Sequence, residues 1–130
     1  MRTRTTTAAL ITAGLLLTLS ACGEDSDDKG TPPPAYKITK QDTDGNGRTV
    51  IVEVDSTKNL DLVFNDVANK LTEEAGYFIQ INCSTGGTEH VDNRLANGTK
   101  AVGNMGAART GLDDGKTQFE EVADRNCPAK

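Results

Sequence analysis

The chain has no tryptophan, and aromatic residues fill only 4% of its 130 positions. With 35% hydrophobic residues in all, this leaves material for one small domain with a thin core and none for a second. Positive charge is also scarce, with 14 Lys and Arg against 19 Asp and Glu and a formal net charge of −5. Such a surface does not recruit nucleic acid or anionic lipid headgroups by charge. There is one histidine, His90, and no CxxC among the three cysteines, so a zinc set would lack ligands. No Ser-His-Asp set, paired-carboxylate cleft or cofactor-binding fingerprint can be read from spacing. "GNMGAARTG" is not a dinucleotide fingerprint, and "GLDDGKT" has Thr110 where a phosphate loop needs its first glycine and two aspartates that would repel phosphate. No cofactor is expected.

Long apolar runs are missing too. The only one, from about Ala8 to Leu19, is too short to span a bilayer core of ~30 Å as a helix. It follows Arg2 and Arg4 and precedes Leu19-Ser20-Ala21-Cys22, which is the length and charge order of a secretory signal.

Leu19-Ser20-Ala21-Cys22 resembles the lipobox of bacterial lipoprotein precursors, a likeness that covers about residues 1 to 22. The resemblance implies signal-peptidase recognition through Leu19, Ser20 and Ala21, cleavage before Cys22, and a diacylglyceryl group on the Cys22 sulfur. Residues 1–21 would then be a signal peptide. Two acyl chains at ~0.8 kcal/mol per buried CH₂ hold a protein on a membrane almost permanently, where one does not. The expected location is the extracytoplasmic face of the cell membrane. Removing Arg2 and Arg4 leaves 12 basic against 19 acidic groups, a mature net charge of −7.

"GEDSDDKGTPPPA" follows the cysteine, acidic and then proline-rich, a composition that cannot bury enough apolar area to order itself. Residues 22–35 read as a lipidated tether. As polyproline II it would reach about 30–40 Å from the lipid.

Residues 36–130 read as the folded domain. "YKITKQ" and "TVIVEVD" alternate as half-buried strands around the turn formers "DTDGNG", which makes a hairpin. From Leu60 to Ala75 the period changes: Leu60, Val63, Phe64, Val67, Ala68, Leu71 and Ala75 share one helix face, with Ser56 or Thr57 as the N-cap and Gly76 at the C-terminal left-handed position. "GYFIQINC" is a further strand, with Tyr77, Ile79, Ile81 and Cys83 on one face. "TKAVG" is a fourth, with "NG" as its turn, and "GKTQFEEV" is either a last short strand around Phe119 or a helical turn. The expected fold class is α+β: a small single domain in the order β-β-α-β-β, one amphipathic helix packed on a sheet.

With Cys22 assigned to the lipid, Cys83 and Cys127 remain, and an even pair in a small extracytoplasmic domain is most simply a disulfide. A thiol nucleophile served by His90, or a metal pair, is the alternative. "DTDGNGRTVIVE" fits the calcium-loop pattern D-x-[DN]-x-[DN]-G-x5-E, offering Asp42, Asp44 and Asn46 as ligands. Its twelfth residue, Glu53, falls in a strand about 20 Å beyond Gly47, too far to chelate the same ion. A hairpin turn with at most a weak ion site is therefore expected. The polar loop Ser84 to Asn93 holds Glu89, His90 and Asp92 and is the candidate binding surface, since loops on a rigid scaffold often carry recognition. The function expected is a lipid-anchored, non-enzymatic binding module for an envelope protein, polymer or small ligand. The alternatives are an envelope enzyme, an enzyme accessory subunit or a weak calcium-binding module.

Overall fold

β-branched residues dominate Gly47–Val54, and Val50, Val52 and Val54 all turn inward, which is the pattern of a strand with one face on a core. A computed structural model describes residues 30–88 and 90–128 of the chain. Its elements are β1 (Tyr36–Gln41), β2 (Gly47–Val54), α1 (Leu60–Lys70), β3 (Ala75–Cys83), β4 (Arg94–Val102), α2 (Gly103–Thr110) and β5 (Thr117–Glu121). They form a small α+β domain around one five-stranded sheet, ordered β1-β2-β3-β4-β5. All neighbours are antiparallel except β2 and β3, which run parallel because α1 carries the chain back between them. Residues 1–29, on which the expected signal peptide, Leu19, Ser20, Ala21, Cys22 and most of the expected tether fall, lie outside the described residues, as does Glu89. Residues 30–35 carry no regular secondary structure. No helix among the described residues is long and apolar enough to cross a membrane.

One face of the sheet is covered by α1. Leu60, Val63, Phe64, Val67 and Ala68 meet Val50, Val52, Val54, Tyr77, Ile79, Ile81 and Cys83 in a single buried cluster. At ~25 cal/mol per Å² of apolar surface, burying each large side chain of this cluster contributes about 1.5–3 kcal/mol.

The helix ends differ from the sequence expectation. Asn59, in the left-handed region at φ 54°, precedes the first turn and no side chain caps it, while Ser56 Oγ accepts the Lys58 N–H in the approach. At the other end Leu71 is already extended, so Gly76 is not the helix terminator. Gly76 and Ala75 belong to β3, both buried. "NG" is not a turn either: Asn97 and Gly98 lie within β4, which runs unbroken from Arg94 to Val102. The ambiguous "GKTQFEEV" resolves as the edge strand β5, with Phe119 opposite Gly98.

The second helix, α2, is an element that periodicity did not reveal. It packs on β3 and β4. Gly47, Gly76 and Ala101 stand in register across β2, β3 and β4, forming a row of minimal side chains on the face away from α1. A Cβ on Gly47 would fall 2.6 Å from Arg109 Nε, and one on Gly76 2.8 Å from Arg109 Cβ. That row is the seat of α2, and it covers only one end of this face.

Candidate functional site

Hydrogen bonds within the turn between β1 and β2, and from it to β3, engage several of its polar groups. Asp42 Oδ2 accepts the Thr49 N–H at 3.1 Å, and the Asp42 N–H donates to Thr49 O at 2.9 Å. Arg48 Nε donates to Gly45 O at 3.1 Å, and Asn46 O accepts the Gly76 N–H at 2.7 Å. Gly45 takes φ 79°, the left-handed conformation that glycine adopts without strain. Glu53 stands on β2 opposite Lys37 of β1, within the sheet and not at the turn. Asp42, Asp44 and Asn46 thus share a hairpin turn, and no group of three or more His, Cys, Asp or Glu among the described residues is placed to hold a metal ion.

In the loop after β3, Thr88 Oγ1 accepts the N–H groups of His90 and Val91, a small local turn. Asp92 faces away from this turn in its bonding: Oδ1 accepts the Arg94 N–H at 2.9 Å, and its main-chain oxygen accepts from Arg125 at 2.7 Å. Arg125 reaches the Asp92 carboxylate at 4.0 Å, an exposed contact of small energetic value. A cleft of about 450 Å³ lies between this loop and the C-terminal segment, lined in part by Asp92, Asn93, Leu95 and Arg125. His90 is exposed and is not among the lining residues. The loop therefore brings Asp92 to a cation, and among the described residues no hydrogen bond or ion pair joins it to His90.

Cys83 and Cys127 form a disulfide, with Cα atoms 5.4 Å apart and a sequence separation of 44. It fastens the C-terminal segment to the end of β3. Neither sulfur is then available as a thiolate nucleophile or metal ligand.

A further surface is the sheet face that α1 does not cover, beyond the end capped by α2. Register places its residues in rows across the strands. One row runs Thr49, Phe78, Thr99, Gln118, and the next runs Lys40, Ile51, Gln80, Asn97, Glu120. A third runs Lys37, Glu53, Asn82, Arg94. A groove of about 300 Å³ follows the first two rows, lined by Phe78, Gln80, Asn97, Thr99, Gln118 and Glu120 together with the backbone side of Ile79 and Gly98. Phe78 is 37% exposed, an unusual position for one of only three phenylalanines in the chain. In the third row, Asn82 Oδ1 and Arg94 Nε are buried and have no hydrogen-bond partner among the described residues. A buried donor or acceptor left unmade costs roughly 1–3 kcal/mol, so this end of the face holds unmet polar capacity.

These residues were missed because the site exists only once β4 and β5 are in register. The local signal was present: Phe78 and Gln80 alternate with Tyr77, Ile79 and Ile81, and the second set alone suffices to bury α1. Comparison of the chain with family models, with curated proteins and with solved structures finds no match.

Proposed function

We propose that this chain is a lipid-anchored lipoprotein of the extracytoplasmic membrane face and a non-enzymatic binding module, whose ligand lies on the open face of β2 to β5. The N-terminal resemblance supports the anchor: a charged start, a short apolar run and Leu19-Ser20-Ala21-Cys22. The Cys83–Cys127 disulfide supports the compartment, since such bonds persist where the surroundings oxidise. Binding without catalysis is supported by the sulfurs' being tied in that bridge and by Asp92's bonding to Arg94 and Arg125 and not to His90.

The observation that carries the reading is the half-covered sheet. A five-stranded sheet ordinarily buries one face and solvates the other with charged and polar side chains. Here the second face is partly roofed by α2 and otherwise presents a groove lined in part by an exposed phenylalanine. Its volume lies at the lower end of the range of ligand sites, and its lining is more polar than theirs usually is.

The anchor is tested by lipid labelling, and the binding face by the crosslinking and titration described below. Cells expressing the full chain are labelled with palmitate, fractionated, and compared with Cys22→Ser. The reading expects label and membrane retention in the wild type and loss of both in the variant. Membrane retention that survives Cys22→Ser, with no label in the wild type, refutes the anchor.

A further inference from the structure

The geometry points to a neutral, polyhydroxylated ligand, a glycan chain, lying across the open face with a sugar ring stacked on Phe78. This inference rests on the reading that the open face is the binding surface, and it names the chemical class of what binds there.

The lining of the groove sets the class. Gln80, Asn97 and Gln118 each offer two N–H donors and a carbonyl acceptor, and Thr99 offers a hydroxyl that both donates and accepts. Glu120 is the only ionisable residue among those that line it. A ligand hydroxyl is likewise donor and acceptor at once, so it can satisfy either side of an amide, and a vicinal pair can donate to both oxygens of Glu120. The exposed Phe78 ring, in register between Thr49 and Thr99, supplies a flat apolar platform within this polar field. A sugar ring has that same mixed character, with C–H groups on its faces and hydroxyls at its rim.

Other partners fit less well. A charged ligand would give up its hydration to lie on amides and one carboxylate, with no cation in the groove to meet an anion. An apolar peptide segment would find one aromatic anchor and strand the surrounding amides without water or partner. A second copy of the chain would carry the same mature charge of −7 and would contribute only Phe78 and the half-buried Ile51 to an apolar interface centre. The groove crosses from β3 to β5, about 10 Å at ~4.8 Å between strands, and is open to either side, so an extended chain can lie in it and run on across the face.

The experiment is calorimetric titration of the detergent-solubilised full chain with linear hexasaccharides of glucose, mannose and galactose, in α and β linkages, and with hexagalacturonate as the anionic counterpart. At least one neutral hexasaccharide is expected to bind with Kd below about 1 mM, with Phe78→Ala and Gln80→Leu each weakening it at least about tenfold. His90→Ala should bind as the wild type does. Because both substituted face residues lie outside the α1 core, unchanged thermal midpoints should accompany the loss. The glycan assignment is overturned if no neutral sugar binds, if binding survives both face variants, or if hexagalacturonate binds as tightly. A photo-crosslinker at Thr99 in intact cells separates the two levels of the claim. A protease-sensitive adduct on a protein, with no sugar bound, overturns the glycan and leaves the face as a binding surface, whereas no adduct of any kind overturns both.

Discussion

Phe64 of α1 stacks on Phe119 of β5 with ring centroids 5.1 Å apart and an interplanar angle of 29°. The strand between them makes room by carrying Gly98 opposite Phe119, and a Cβ at Gly98 would intrude into the Phe64 ring. Phe64 is 1% exposed and cannot swing aside. Gly98→Ala is therefore expected to destabilise the domain by roughly 1–3 kcal/mol through overpacking, read as a lower urea midpoint with unchanged slope. An unchanged midpoint would mean that the ring has freedom the packing denies it.

The disulfide closes a loop of 44 positions, for which the chain-entropy model gives about 4 kcal/mol. In a domain of this size that is a large share of the total stability. Cys83→Ala with Cys127→Ala should lower the urea midpoint sharply, and thiol counting on the unfolded, non-lipidated domain should find no free thiol. Two free thiols in protein purified from the envelope would remove the bridge from the account.

Acid should act on the contact between β1 and α1. Lys70 Nζ donates to Asp66 Oδ2 at 2.8 Å, and the Tyr36 hydroxyl donates to the same oxygen. The Lys70 hydrogen bond first, and that of Tyr36 second, hold the Asp66 carboxyl below its ordinary value. A carboxyl depressed in the folded state stabilises it above the ordinary carboxylate range, and that contribution is lost as pH falls through the depressed value. The thermal midpoint should therefore drop on acidification below about pH 4, and drop less steeply in Asp66→Asn. Identical acid limbs in the two proteins would show that this surface network has no part in stability.

Calorimetry with calcium should show no binding tighter than about 10 µM, and Glu53→Gln should change nothing, because Glu53 sits within β2 and Asp42 is engaged by the Thr49 N–H. A tight site abolished by Glu53→Gln would establish the calcium loop instead.

What the sequence disclosed and what it hid divide along one physical line. β2, α1 and β3 were legible because each buries a face whose period can be counted locally, as Val50, Val52 and Val54 or Leu60, Val63 and Phe64 show. The disulfide followed from the cysteine count. α2 was hidden because "GNMGAART" has almost no apolar stripe; it is held by a seat of Gly47, Gly76 and Ala101 drawn from three strands, a relationship no local window contains. Asn97-Gly98 looked like a turn for the same reason, since the need for glycine there arises from Phe64, 34 positions earlier, and not from the backbone of β4. The open face depends on the same long-range register, so Phe78 was placed in its strand but its neighbours Thr99 and Gln118 were not foreseen as part of a surface.

The central claim, an anchored module that binds through its open sheet face, is tested most directly by photo-crosslinking in intact cells with the probe placed at Gln80 or, as a comparison, at His90. The account expects a membrane-associated adduct from position 80 that disappears in Phe78→Ala, and none from position 90. An adduct from position 90 alone would contradict it and return the binding surface to the loop after β3.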